Sequence, residues 1–293
     1  MSTRKWIVAA LAALLGLCVL LAVVAVPRTP AAQTADVAIL MYHAFTEDEA
    51  DAGSLYTLTS EFARQLSALR DAGYTSVGYA DLIEFVNGES KLPEKPLLIS
   101  IDDGYQNNLD LAAPLLEKYG FCANIAVIGV SIGRTTYKDT DIPITPHFSL
   151  EDARPWIERG VLTVTTHSYD MHQVTAVDGA GCRRGVLQMP DEAESDYIAA
   201  LTQDYTRAQE QLSGLPGTPL PVFTYPNGAY SELSERVLQA LGVQVTVTTE
   251  GGANRLVKGE PETLRLLHRI HVWRGTKPDM LLSRIDSALQ ALR

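Results

Sequence analysis

The segment Pro96–Asn107, PLLISIDDGYQN, decides how the rest of the chain is read. Leu97 to Ile101 is a short, apolar run containing β-branched side chains, the composition of a strand buried on both faces. It ends in two adjacent carboxylates, Asp102 and Asp103, followed at once by Gly104. Neighbouring strand residues point to opposite faces, but a glycine lets the backbone turn, so both acids can reach one pocket. Two ionised carboxylates side by side repel, and burying them without a partner is costly. A strand ending in Asp-Asp-Gly therefore asks for a cation. The competing reading is a helix cap and turn, because Asp caps helices well and Gly favours turns.

Working outward, the same pattern of an apolar strand ending in polar residues recurs. Val37 to Met41 (VAILM) is a buried-strand candidate ending in Tyr42-His43. Thr59 or Ser60 can cap a helix in which Phe62, Leu66 and Leu69 recur at helical spacing, with Gly73 as its stop. Asp81 to Val86 reads as a short helix, Leu111 to Tyr119 as another, and Ala123 to Val130 as the next strand. Leu150 to Arg159 is expected to be helical with Trp156 and Ile157 facing inward, and Val161 to Thr165 to be a strand leading into Thr166-His167-Ser168. Thr175 to Glu194 has no clear period and reads as a loop beside a site. Ser195 to Ser213 is an amphipathic helix with Tyr197, Leu201, Tyr205, Ala208 and Leu212 on one stripe. Val222 to Tyr225 is a strand before Pro226-Asn227-Gly228, Ser231 to Leu241 a helix, and Val243 to Thr248 and Leu264 to Val272 two further strands. Strands alternating with helices argue an α/β architecture with a mainly parallel sheet, open or closed as a barrel.

The chain has 293 residues, 46% of them hydrophobic, enough for one sizeable core. Its first segment is set apart. Arg4 and Lys5 precede an uncharged run from Trp6 to Val26, 21 residues, long enough to cross a bilayer as a helix. The positive flank places the short end in the cytoplasm and the rest outside. Residues 1–26 are thus expected to be an anchor, with a cleaved signal segment as the alternative given the Ala-rich stretch at residues 31–35. Residues 27–36 read as a Pro/Ala-rich tether, and residues 37–293 as the catalytic domain. The net charge of −11 argues against a nucleic-acid partner, which would need basic patches. Of three cysteines, Cys18 lies in the membrane segment, Cys122 in an apolar run where a buried small hydrophobe is expected, and Cys182 in a Gly/Arg-rich loop with nothing to pair it, so no disulfide scaffold is indicated.

His43, Asp102 with Asp103, His167 and the Pro226-Asn227-Gly228 turn all stand just after strand candidates. In a barrel of alternating strands and helices those ends share one face, where active sites are built. Four unrelated caps or core residues would not be expected to fall in that register. His167 and His172 (HSYDMH) are five apart, so a loop must fold to converge them. Two histidines with one of the carboxylates make a facial set with open positions, which suits an ion such as Zn²⁺. The other carboxylate is then available as a base toward water.

SIDDGY, HSYDMH and TYPNG, in that order and spacing, resemble the signature motifs of the polysaccharide deacetylase (NodB-homology) family, and the Met41-Tyr42-His43 triplet resembles its branch with an N-terminal histidine in the site. The resemblance covers roughly Val37 to Val272 and implies a distorted (β/α) barrel holding one divalent metal, zinc first, with cobalt, nickel, manganese or iron as alternatives. It implies removal of acetyl groups, N-acetyl of N-acetylglucosamine-type residues foremost, from a cell-envelope or extracellular polysaccharide by a monomeric enzyme. By matching position, Asp102 would be the base, and Asp103, His167 and His172 the metal ligands. His43 would be the acid that protonates the leaving amine. The turn Tyr225-Pro226-Asn227 would face the substrate, with the Asn227 N–H in the oxyanion hole.

The chain departs from the family pattern at three places. The position two before the turn proline, often an Arg that orients the base, is Thr224, and the aromatic usual after that proline is Asn227. His268 and His271 fall near a late family histidine, but as strand residues they would face opposite sides, and a structural role is expected for each. Arg269 is a candidate substitute for the missing Arg, and His147 reads as a surface residue. Two other functions are compatible with the pattern: a glycan-binding protein that lost activity, and a metal amidase acting on another small amide. A water-activating base is of no use to a binding module, so both acids together favour the enzyme.

Overall fold

The computed structural model describes residues 33–50, 53, 55–217 and 219–293. The expected membrane segment, residues 6–26, and residues 27–32 of the tether lie outside the described residues. Among the described residues no helix is long and apolar enough to cross a membrane.

From Thr34 on the chain folds as one unit. It begins with β1 (Thr34–Tyr42), three residues ahead of the expected domain start, because Thr34, Ala35 and Asp36 already pair with a later strand. A small parallel pair follows, β2 (Ala44–Thr46) and β3 (Tyr56–Leu58), then α1 (Thr59–Asp71), β4 (Thr75–Ser76), α2 (Tyr79–Asn87) and β5 (Pro96–Asp103). A wide helical turn at Asn108–Ala112 leads into α3 (Ala113–Tyr119), which precedes β6 (Ala123–Val127), α4 (Leu150–Glu158) and β7 (Leu162–Thr166). The short α5 (Thr175–Asp178) and the long α6 (Glu194–Leu212) lead to β8 (Val222–Thr224), α7 (Glu232–Ala240), β9 (Val245–Val247) and β10 (Ala253–Val257). The chain ends with β11 (Ile270–His271) and α8 (Pro278–Gln290).

The sheet runs β10-β1-β5-β6-β7-β8-β9. Every pair along it is parallel except β10 with β1, so the C-terminal ends of β1, β5, β6, β7, β8 and β9 share one face. Leu40 sits opposite Ile99, Ile101 opposite Ile125, and Thr166 opposite Phe223. The result is an α/β half-barrel. Its open side is spanned by one irregular segment: Leu267 bridges Val247 of β9, and Ile270 pairs with Leu40 of β1.

Alternation along β1 divides the core as a period of two requires. Ala38 and Leu40 pack with Phe62, Leu66 and Leu69 of α1 and Leu281 and Ile285 of α8, whereas Val37 and Ile39 pack with Leu82, Phe85 and Val86 of α2 and Val245 of β9. The α6 stripe of Tyr197, Leu201, Tyr205, Ala208 and Leu212 is buried as its spacing predicts. β5 is buried over its whole length. Ser149 caps α4 by accepting the Asp152 N–H at 3.2 Å, and Ser231 caps α7 by accepting the Ser234 N–H at 3.1 Å. The expected cap at Thr59 or Ser60 does not form: Leu58 occupies the cap position, with no side-chain bond.

Two expectations need correction, and two elements were not expected. Leu264 to Val272 is not one strand, because Leu266 takes a left-handed φ of 53° and breaks the run, leaving only β11 paired. The loop from Thr175 to Glu194 contains α5 and is pinned by Arg183, whose guanidinium grips both oxygens of Glu192 at 2.8 and 2.5 Å. β10 and α8 had no counterpart in the sequence reading: β10 (ANRLV) is short and polar, half-buried against one edge, and α8 carries its apolar positions diluted by Ser, Arg and Asp.

Candidate active site

The two acids at the end of β5 part company through the backbone. Asp103 itself takes a left-handed φ of 74°, followed by Gly104 at 85°, so the turn begins one residue before the glycine. Gly104 has a second constraint, since a Cβ there would lie 2.8 Å from Val127 Cγ1. The turn sends Asp102 toward β1 and the 269–271 segment, and Asp103 toward the loop after β7.

Asp103 Oδ1 lies 3.8 Å from His167 Nε2 and 3.7 Å from His172 Nε2, and the two rings are 5.0 Å apart. These separations are too long for hydrogen bonds. They fit three ligands around one ion, where bonds of about 2.1 Å put tetrahedral neighbours roughly 3.4 Å apart. The ligand atoms of Asp103, His167 and His172 all lie within 4.8 Å of one another. His167 Nδ1 sits 2.8 Å from the Thr224 carbonyl. A carbonyl can only accept, so Nδ1 carries the proton and Nε2 presents its lone pair, the tautomer a ligand requires. Burial pushes His167 down to about 4, which keeps the ring neutral at physiological pH. The residues present therefore fit a divalent ion.

The loop between the two histidines is held from α6. Asp204 accepts the backbone N–H groups of Tyr169 at 2.8 Å and Asp170 at 2.7 Å. Burial raises the Asp204 carboxyl to about 6 against the pull of those donors. The sequence reading passed over Asp204. The signal was available, because Asp204 is a carboxylate set between Leu201 and Ala208 on the apolar stripe of α6.

On the other side, Asp102 Oδ1 receives Arg269 Nη1 at 2.7 Å, while Oδ2 lies 3.9 Å from His43 Nε2. Burial works against the Asp102 charge, but Arg269, with His167 and His43 nearby, outweighs it and holds the carboxyl well below the usual range. Asp103 is likewise lowered: burial opposes its charge, and His172, His43 and His167 favour it. Arg269 is fully buried and also donates to the Thr248 carbonyl and Ser100 Oγ, so it is fixed before it meets the acid. His43 follows β1, and its carbonyl accepts Asn108 Nδ2 at 2.7 Å, which ties it to the turn after β5.

The Pro226–Gly228 turn adjoins His167 through Thr224. Asn227 takes a left-handed φ of 55°, a conformation Asn tolerates better than an aromatic residue does. Tyr225 differs from expectation. Its ring is buried and its hydroxyl bonds Glu235 at 2.5 Å, so it anchors the turn to α7 and does not face a substrate. His147 is not a surface residue: its ring packs 4.9 Å from Tyr105, Nδ1 is buried without a hydrogen-bond partner, and it lines a cavity with Asp103 and His172. His268 and His271 do not face opposite sides of a strand, because the break at Leu266 lets both line one groove. His271 packs 5.6 Å from His43, ring to ring, and His268 lies 3.6 Å from Glu250.

A family profile described as polysaccharide deacetylase matches residues 89–246. YxkH of Bacillus subtilis (strain 168), assigned as a polysaccharide deacetylase, is 26% identical over 249 residues, 85% of this chain and 76% of that protein. The poly-β-1,6-N-acetyl-D-glucosamine N-deacetylase of Escherichia coli K12 is 22% identical over 226 residues, 73% of this chain and 34% of its own length, so this chain matches about a third of that relative. A solved de-N-acetylase from Aggregatibacter actinomycetemcomitans shares the fold with a TM-score of 0.73 at 19% identity, covering 85% of this chain and 100% of that one.

Proposed function

This chain belongs to the polysaccharide deacetylase family, and from that premise we propose that it is a metal-dependent deacetylase removing N-acetyl groups from N-acetylglucosamine-type residues of a cell-envelope or extracellular polysaccharide. The observation that carries this reading is the division of labour between adjacent acids, Asp103 against two histidines and Asp102 against Arg269 and His43. A divalent ion held by Asp103, His167 and His172 would polarise the acetamide carbonyl and make water acidic. Zinc suits that donor set best.

The chain's own residues account for the remaining steps. Asp102, kept ionised by Arg269, is a weak but permanently available base that accepts the proton of the attacking water at Oδ2. Its Oδ1 is held by Arg269, so the carboxylate is fixed in one orientation. Attack on the carbonyl carbon gives a tetrahedral oxyanion, toward which the Asn227 N–H is the candidate donor. His43, beside Asp102, protonates the leaving amine, and the C–N bond breaks to release acetate. Uncharged residues 6–26 after Arg4 and Lys5 support a single membrane span with this domain outside. Full-length protein should then fractionate with membranes and resist a salt wash, whereas a soluble form starting near Asp36 would indicate a cleaved signal.

The test of the activity is acetate release from a panel of envelope glycans and small amides, with and without a chelator. Release from N-acetylated glycans, abolished by chelation and restored by Zn²⁺, is the expected result. Turnover of small amides alone, or turnover indifferent to chelation, overturns the reading.

A further inference from the structure

Beyond the acid, a groove of about 680 Å³ runs between the 249–253 loop, the 268–273 segment and α8. Its size lies in the range of roughly 300–1,000 Å³ typical of ligand pockets. It starts at the catalytic centre, because His271 in its wall lies 5.6 Å from the His43 ring, and His43 lies 3.9 Å from Asp102. Trp273 stands at its edge, 45% exposed, with its ring tilted 37° against that of His271 and the two centroids 3.5 Å apart. An exposed aromatic face beside a hydrolytic centre is a platform on which the C–H face of a sugar can lie.

The groove is also electrostatically distinct. The chain carries a net charge of −11, yet among the described residues no Asp or Glu lines this groove. His268 at one side is engaged by Glu250. Arg284 of α8 lines the wall half-buried and makes no ion pair or hydrogen bond among the described residues. The carboxylate nearest to it along α8, Asp286, turns to Tyr74 at 3.5 Å. Arg284 is nevertheless close enough to His271 to help disfavour its protonation, after burial, His43 and Arg269. Arg269 lies along the same groove and has Nη2 buried without a partner. A half-buried guanidinium lacking a carboxylate is poised for an anion arriving with the substrate.

Resting on the deacetylase reading, we propose that this groove is a subsite for an acidic glycan residue next to the acetylated sugar, with the residue's carboxylate or phosphate on Arg284 and its ring on Trp273. The test measures binding to the full chain by calorimetry, with acetate release in parallel. The probes are equal-length N-acetylated oligosaccharides that are neutral, uronate-bearing or phosphodiester-bearing. At low salt one acidic probe should bind about tenfold tighter than the neutral one, and which of the two does so identifies the anion. In Arg284→Gln that preference should fall to within about threefold, and Arg284→Lys should restore part of it. Trp273→Ala should weaken neutral and acidic probes alike. Equal affinity for all probes in the wild type, or an undiminished preference in Arg284→Gln, overturns the proposal. A preference that depends on Arg284 without acetate release upholds the groove and refutes the deacetylase reading, and acetate release without any preference does the reverse.

Discussion

Arg269 Nη1 meets Asp102 Oδ1 at 2.7 Å, although the two residues lie 167 positions apart in the chain. The guanidinium is wholly buried and is held by the Thr248 carbonyl and Ser100 Oγ as well. Arg269 therefore supplies the fixed positive charge that the position of Thr224 lacks, from the segment that spans the open side of the half-barrel between β9 and β1.

Removing that charge should show in the pH dependence. In Arg269→Met, Asp102 loses the partner that holds its carboxyl low, so the acid limb of the kcat/KM profile should move to higher pH. Breaking a buried pair by deleting one member also costs about 3–5 kcal/mol, readable by urea unfolding at pH 7. Asp102 has a lowered value in the folded state, so the pair stabilises fully above the unfolded value of about 3.9 and fades as pH falls toward the folded one. The variant should consequently lose less stability than the wild type on acidification below about pH 4. An unmoved acid limb would mean that Arg269 does not tune the base.

The adjacent acids should separate cleanly under mutation. His167→Ala and His172→Ala should each lower metal content below the one ion per chain expected of the wild type, measured by elemental analysis after dialysis. Asp102→Asn should keep that ion and lose roughly a hundredfold or more in rate. Loss of metal in Asp102→Asn with retention in Asp103→Asn would reverse the two assignments.

His43 and His271 stand 5.6 Å apart, and leaving-group dependence separates their roles. His43→Ala should lose most activity on an N-acetyl substrate, whose amine must be protonated to leave, and lose much less on an activated ester. His271→Ala, pushed down to about 4 chiefly by burial in the wild type, should reduce both activities together or neither. Should His271→Ala show the amide-selective loss and His43→Ala retain amide activity, the acid is His271.

Asp204 holds two amides of the histidine loop without touching either ligand. Asp204→Ala should leave those N–H groups without their acceptor and weaken metal affinity by about 10–100-fold, with Asp204→Asn intermediate because its amide oxygen can still accept. Metal affinity unchanged in Asp204→Ala, by competition with a chelating dye, would show that the loop holds its shape without α6.

What the sequence determined by itself is local. Apolar runs of VAILM, LLISI and VLTVT specify strands, polar residues immediately after them specify what stands on the common face, and a period near 3.6 specifies the α6 stripe. The Asp-Asp-Gly end, the two histidines and His43 were legible because each lies within a residue or a short loop of a strand that had to be buried. The finer division between Asp102 and Asp103 came from family likeness, and its physical cause, the left-handed turn at Asp103, appears only in three dimensions. Tertiary structure alone decided the pairing of Arg269 with Asp102, the half-burial of His147 against Tyr105, the turning of Tyr225 toward Glu235 and the shared groove of His268 and His271. Each depends on segments far apart in sequence or on a break in a strand at Leu266, and neither long-range approach nor a single left-handed residue leaves a periodic trace in the chain.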